Sequence, residues 1–410
     1  MEPIDSCKHV PNLLSSFVDT FVDFSVTDGL FLPPNSNSNS QNHQNAPHPE
    51  NDENAPGDIR THYPSPPGRL IAIGDLHSDL AKTKQAFRLA NLIDASGNWT
   101  GGSTTVVQVG DVLDRGGDEI KILYFLERLR RQAEKTGGKV ITMNGNHEIM
   151  NVESNFQFVD KSGLKEFRVW AEWYRIGQVM KGLCEGLESP KDVFKGIPFS
   201  FRGIDNENGN NEALIQELRA RIAALRPNGP ISARFLSRNV TVLVIGDSVF
   251  VHGGLLPKHV EYGLQRINEE VRDWINGLGG ERAPGYCRQP DGVVWLRKFS
   301  KEKNCDCETL EHLLATIPGS KRMIMGHTIQ KIGINGVCDN RAIRIDVGMS
   351  KGCSNGLPEV LEISENSGLR ILTSNPLYQD KYKASSHSER KEGFGLLFPE
   401  QGPKQVEVKA

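Results

Sequence analysis

Surplus positive charge is missing: 48 Lys and Arg stand against 51 Asp and Glu, a formal net charge of -3 over 410 residues. Binding to a nucleic-acid backbone without regard to sequence draws on clustered Lys and Arg, so that activity is excluded as the main one. Cysteine is scarce and odd in number, seven in all. That is not the dense, paired pattern of a secreted disulfide scaffold, and it indicates a reducing compartment. No apolar run reaches the roughly eighteen residues that a membrane helix needs. The nearest, Val10 to Leu32, is interrupted by Asp19, Asp23 and Asp28. The opening Met1-Glu2-Pro3-Ile4-Asp5 has neither a basic leader nor the Arg-rich, acid-poor character of a transit peptide. The expected location is the cytosol, with association with mitochondria left open; no membrane span and no nucleic-acid partner are expected.

With 37% apolar and 24% charged residues, the chain has the composition of a soluble globular protein long enough to bury a sizeable core. Four regions are expected. Residues 1–34 carry Leu14, Phe17, Val18, Phe21, Val22 and Val26 at helical spacing. They should form a short amphipathic helix that packs on the body, or else docks a regulatory protein or lies on a membrane surface. Residues 35–67 are dominated by Asn, Ser, Gln, Pro and His and read as a disordered linker. Residues 68–377 form the body, and residues 378–410 a polar, flexible tail.

Within the body, short Val- and Ile-rich runs bounded by glycine read as strands: 69–74, 105–110, 139–143, 240–245, 249–252, 321–325 and 342–346. Asp75, Asp111 and Asn146 follow one another at 36 and 35 positions, a spacing that suits two successive βαβ units with helices over 80–92 and 119–135. Helical stretches at 164–180 and 212–225 interrupt the series, and serve either as a cap or as the wall of a groove. The fold class is α/β.

Nearly every expected strand ends in glycine beside a metal-ligand type: Gly74-Asp75-Leu76-His77, Gly110-Asp111-Val112-Leu113-Asp114-Arg115, Gly145-Asn146-His147-Glu148, His252-Gly253-Gly254 and Gly326-His327-Thr328. Loops beyond the carboxyl ends of such strands converge on one crevice, and glycine permits the tight turns this requires. Asp, Asn and His together suit Mn, Fe or Zn, and the inventory is large enough for two ions. A His-Cys-x5-Arg phosphate loop is absent, which excludes thiolate phosphatase chemistry. Cys305, Cys307, Cys338 and Cys353 are irregularly spaced and read as incidental thiols before a structural zinc or a redox pair.

Taken in order, these motifs resemble the phosphoprotein phosphatase superfamily of binuclear metal hydrolases over residues 70–348, and most closely its Shewanella-like branch, in the plant subgroup without a chloroplast address. The resemblance implies a metallophosphoesterase (calcineurin-like) fold, two mixed β-sheets flanked by helices with a helical insertion. It implies two divalent or trivalent cations, manganese in vitro with iron or zinc possible. Asp75, His77 and Asp111 would ligate one cation, and Asp111, Asn146, His252 and His327 the other. His147 would be the general acid, Asp114 the carboxylate that orients it, and Arg115, Asn146 and Arg297 the groups that bind the substrate phosphate. The implied activity is hydrolysis of phospho-Ser/Thr and/or phospho-Tyr on proteins by a metal-bridging hydroxide. The alternatives are a metallohydrolase for nucleotide or small-molecule phosphates and an inactive interaction scaffold. Two departures stand out. Ser78 replaces the usual glycine after His77 and is expected to narrow or polarise the groove. The Ser-Ala-Pro-Asn-Tyr loop of the toxin-sensitive branch is missing, which implies weak inhibition by okadaic acid and microcystin.

Overall fold

The computed structural model describes residues 10–27, 29, 60–182, 192–201, 212–288, 290–301, 305–364 and 368–374. The described part opens with α1 (Val10–Val26), β1 (His62–Tyr63), β2 (Leu70–Ile73), α2 (Leu80–Leu89), β3 (Thr105–Gln108), α3 (Glu119–Glu134) and β4 (Lys139–Thr142). The short α4 (Asn146–Val152) then leads into the insertion, which contains α5 (Lys161–Gly182), α6 (Glu212–Leu225) and α7 (Pro230–Arg234). The second half contributes β5 (Val242–Ile245), β6 (Ser248–Val251), α8 (Pro257–Tyr262), α9 (Leu264–Ile275), α10 (Cys307–Ala315), β7 (Arg322–Met325), β8 (Asn335–Val337), β9 (Ala342–Arg344), β10 (Glu359–Ile363) and β11 (Leu369–Thr373).

These strands form two mixed sheets, as the motifs imply for the fold. One has five strands in the order β11-β10-β2-β3-β4, and the other six in the order β1-β5-β6-β7-β9-β8. The two βαβ units are present, with β2, β3 and β4 parallel and in continuous register. Every residue of β2, β3, β5, β6 and β7 is buried. Strands covered on both faces read as unbroken apolar runs, which is why these were legible. The strands β1, β8, β10 and β11 were not expected. The pair β10 and β11 is antiparallel, and β10 closes the far side of β2.

Strand β1 falls within the stretch assigned to a linker. Tyr63 pairs with Ile245, and Thr61 is buried against Gln265 and Asn268, so residues 60–67 belong to the body. The rest of the expected linker and the whole expected tail lie outside the described residues.

Helix α1 packs on α5 through Val18, Val22 and Val26, while Phe17 and Phe24 face outward. Gly177 of α5 permits the approach, because a Cβ there would stand 2.5 Å from Val22 Cγ2. Asp23, on the buried side, accepts the Tyr124 hydroxyl at 2.8 Å and two N–H groups of Arg234 at 2.7 and 2.8 Å. Among the described residues no helix is long and apolar enough to cross a membrane.

Candidate active site

The carboxyl ends of β2, β3, β4, β6 and β7 meet at one edge, where the two sheets are joined by a bridge between Met143 and Val240. The loops there are too close for side chains at their turns. A Cβ on Gly110 (φ 96°) would lie 2.5 Å from the Gly145 nitrogen, and one on Gly326 would lie 2.3 Å from the Asp75 carboxylate. Around these glycines His77, Asp111, Asp114, Arg115 and His327 hold φ between 42° and 69°. Left-handed backbone at non-glycine residues costs about 1–3 kcal/mol each and persists where the surroundings enforce it. Here Glu148 is the enforcer: its carboxylate accepts the backbone N–H groups of Asp111, Val112, Leu113 and Gly145 at 2.7–3.0 Å.

All six residues assigned to metal binding are brought together. Asp111 Oδ2 lies 3.1 Å from His252 Nε2 and 3.7 Å from His77 Nε2, and Asn146 Oδ1 lies 3.1 Å from His252 Nε2. Asp75 Oδ2 is 4.0 Å from His77 Nε2, and its carboxylate accepts the backbone N–H of His327. Donor atoms of Asp111, His252 and His327 all lie within 4.8 Å of one another, as do those of His77, Asp111 and His147.

The chemistry of this set fits cations. His77 Nδ1 and His252 Nδ1 face the carbonyls of Leu113 and Val109, which turns each Nε2 inward toward the cluster. His327 is the other way round, its Nε2 against the Trp295 carbonyl and its Nδ1 free. Burial lowers His77 to about 4 and His327 to about 2, so both are neutral imidazoles, the ligand form. Burial and the charges of Asp346 and Asp111 push Asp75 well above the usual carboxylate range, and burial lifts Asp346 to about 6. Carboxylates crowded in this way are the groups that a cation relieves.

Beside the cluster, His147 Nδ1 lies 2.6 Å from Asp114 Oδ2, and its Nε2 points to the centre, 3.8 Å from Asp111 Oδ2. Burial alone would lower His147, but the attraction of Asp111 and then of Asp114 outweighs it and raises the imidazole's pKa. Arg115 is held by its backbone N–H on the Phe158 carbonyl and by its guanidinium 4.9 Å from the Phe158 ring; its buried Nε has no partner. Arg297 donates from Nη1 to the His327 carbonyl at 2.7 Å and to Thr328 Oγ1 at 2.9 Å, which fixes it at the rim of the same cluster. The structure thus assembles His147, Asp114, Arg115 and Arg297 with the six candidate ligands.

Ser78 departs from expectation. It is buried and its hydroxyl donates to the Val112 carbonyl at 2.9 Å, so it ties two loops together instead of polarising the groove. Several contributors were missed. Phe158 stands over His147 at a centroid distance of 5.1 Å, and Asp346 sits against Asp75. Asn151 and Arg221 lie behind Asp114. Glu148 was available in the motif Gly145-Asn146-His147-Glu148, and Asp346 ends an expected strand; Phe158 and Arg221 carry no local signal.

The cysteines need a correction. Cys307, the first residue of α10, is bonded to Cys338 of the turn between β8 and β9, and Cys305 Sγ lies 3.2 Å from Cys338 Sγ. Three of the four thiols read as incidental are therefore neighbours. The 31-residue separation gave no sign of it, because only the β8–β9 hairpin carries Cys338 back to α10. Cys353 is a free thiol, pushed up to about 12 by burial.

Comparison with known proteins agrees with this geometry. Residues 68–219 match the calcineurin-like phosphoesterase family. Shewanella-like protein phosphatase 2 of Arabidopsis thaliana is 59% identical over 411 aligned residues, covering 100% of this chain and 98% of its own. Shewanella-like protein phosphatase 1 of Plasmodium berghei is 26% identical over 78% of each chain. The crystal structure of a cold-active protein tyrosine phosphatase from a psychrophilic Shewanella superimposes with a TM-score of 0.53 at 18% identity, covering 77% of this chain and 82% of that one, which establishes a shared fold.

Proposed function

Because the chain belongs to the Shewanella-like protein phosphatases, we propose that its centre hydrolyses phosphomonoesters on seryl, threonyl or tyrosyl side chains of proteins, with the residues in the roles below. The observation that carries this reading is the gathering of His77, His252 and His327 around Asp111, with Asp75 and Asn146 against them, beside the His147–Asp114 pair. Asp75, His77 and Asp111 would hold one cation, and Asp111, Asn146, His252 and His327 the other. Two cations so held would supply a water of lowered pKa as nucleophile and would neutralise charge on the phosphoryl oxygens.

The chain's own residues do the rest. Arg115, whose Nε is unpaired, and Arg297, anchored through Nη1 on His327 and Thr328, would offer their remaining N–H groups to the phosphate, and a planar guanidinium fits its tetrahedral oxygens. Asn146 offers its amide from the first turn of α4. His147, with Nδ1–H on Asp114, can carry its second proton at Nε2 and give it to the departing seryl, threonyl or tyrosyl oxygen. Phe158 lies against both the His147 ring and the Arg115 guanidinium. Manganese is the proposed ion for assay, with iron or zinc as native candidates. The Cys307–Cys338 bond favours a compartment oxidising enough to keep it over the reducing cytosol first expected.

The test is activity on phosphoseryl, phosphothreonyl and phosphotyrosyl peptides after chelation and re-addition of single metals, with Asp111→Asn alongside. Activity should vanish on chelation, return with manganese, and be lost at least 1,000-fold in Asp111→Asn. A variant with full manganese-dependent turnover would remove Asp111 from the centre.

A further inference from the structure

The insertion carries a fully buried arginine that no motif announces. Arg221, on α6, has no exposed surface, and its guanidinium lies between the rings of Phe167 and Phe156, at 4.6 and 5.4 Å from their centroids. All of its donor nitrogens are engaged. Nε and Nη2 donate to Asn151 Oδ1 at 2.9 and 2.7 Å. Nη1 and Nη2 take the two oxygens of Glu119 at 2.9 and 2.7 Å, and Nη2 also reaches Asp114 Oδ1 at 3.0 Å. Asn151 completes the grip, donating from Nδ2 to Asp114 Oδ1 and to the His147 carbonyl, each at 2.9 Å.

The consequence lies in which oxygen each partner takes. Arg221 and Asn151 both hold Oδ1 of Asp114, which leaves Oδ2 to face the His147 ring at 2.6 Å. A carboxylate held by one oxygen cannot swing about its Cβ–Cγ bond, so the ring it faces is fixed in plane and tautomer. Stability alone does not account for such a residue, since a buried ion pair is often replaced by apolar side chains without loss.

We propose that Arg221 is a positioning residue for the general acid, acting through Asp114, and that the helical insertion is thereby part of the catalytic apparatus as well as a cover for it. The proposal rests on the phosphatase reading of the site. It concerns neither metal binding nor phosphate binding, so its signature is loss of proton donation alone. A p-nitrophenolate leaves as a stable anion and needs little protonation, whereas a seryl alkoxide needs a proton as the P–O bond breaks.

The experiment compares p-nitrophenyl phosphate with a phosphoseryl peptide in the manganese-loaded full chain. Arg221→Met leaves Glu119 buried without its partner, so Arg221→Met/Glu119→Gln, which removes one charge of each sign, is made with it. In the double variant kcat for the phosphoseryl peptide should fall 10-fold or more, within the roughly 10²–10⁴-fold that a general acid supplies. Its kcat for p-nitrophenyl phosphate should stay within about threefold, and KM and bound manganese should be unchanged. Equal loss on both substrates, or recovery of wild-type rates on both, would overturn the proposal. Absence of activity in the wild-type chain on either substrate would instead count against the phosphatase reading itself.

Discussion

His147 sits in a field where burial and two carboxylates oppose each other, and the carboxylates win. The direction matters for catalysis, because a general acid must be protonated when substrate binds. Activity should therefore fall as pH rises through the imidazole's raised pKa. Cations bound at Asp111 would take over part of its attraction for the ring, leaving Asp114, at 2.6 Å, as the principal support. Asp114→Asn removes that charge while keeping an oxygen for Nδ1–H. The alkaline limb of the kcat profile on a phosphoseryl peptide should move to lower pH, and kcat at neutral pH should fall about 10- to 100-fold. An unmoved limb would mean that another group donates the proton. The same residues show what a sequence can disclose. That Asp75, His77, Asp111, Asn146, His252 and His327 would gather at one edge was legible because each follows a glycine turn or a strand end, and the loops beyond such strands converge. Arg221 was not, because on an amphipathic helix a buried arginine looks the same as an exposed one.

At the scale of elements, both βαβ units were readable because parallel strands buried on two faces leave continuous apolar runs, as in Leu70–Ile73 and Thr105–Gln108. Strands β8 and β11 were not, since half-buried, mixed sequences such as Asn335–Val337 show neither alternation nor an apolar run. Helix α9 was also missed, although Leu264, Ile267, Val271, Trp274 and Ile275 form a helical stripe that is now seen buried. Helix α1 was expected from its stripe, but the stripe divides: Val18, Val22 and Val26 face α5, whereas Phe17 is 61% exposed. What the stripe could not reveal is that Asp23, a charge within it, is the polar anchor. Its carboxylate is shared by Tyr124 and Arg234, and Arg234 also holds Glu127 at 2.8 Å. Asp23→Ala leaves Arg234 and the Tyr124 hydroxyl short of an acceptor in a largely buried place. It should cost about 2–3 kcal/mol in thermal or urea unfolding. Because the described contacts of α1 run to α5, Tyr124 and Arg234 and to none of the candidate site residues, kcat of the folded fraction should be unchanged. A stability equal to wild type would show that the valine contacts alone hold the helix.

For the molecule as a whole, the proposed ligand set is divided between the two sheets. Asp75, Asp111 and Asn146 follow strands β2, β3 and β4 of the five-stranded sheet, and His252 and His327 follow β6 and β7 of the six-stranded one. Cations would thus tie the two halves together, and anything that binds only the folded state stabilises it, by about 2.7 kcal/mol at a hundred times Kd. The pH dependence of that gain follows from the crowded acids. Without metal, Asp75 and Asp346 are raised, the latter to about 6, and His252 is raised as well: burial opposes this but Asp111 prevails. Groups with raised folded pKa values bind protons more tightly in the folded chain. Their contribution is present in full below their unfolded values, near 4 for the acids and 6.5 for the imidazole, and is lost as pH climbs through the folded ones. Asp111, depressed, is anionic, and His77 and His327, depressed, are neutral, with or without metal, so they cancel in the difference between the two forms. A bound cation takes the place of the protons on Asp75, Asp346 and His252, so the loaded protein does not suffer the loss. The gap in Tm between manganese-loaded and chelated protein should be small near pH 4.5 and widen steadily to pH 7.5. His252→Ala, which removes one tie between the sheets, should shrink it at every pH. Thermal unfolding of the four samples across that range decides the matter: a gap independent of pH would mean that the acids at the sheet edge are not where the cations bind.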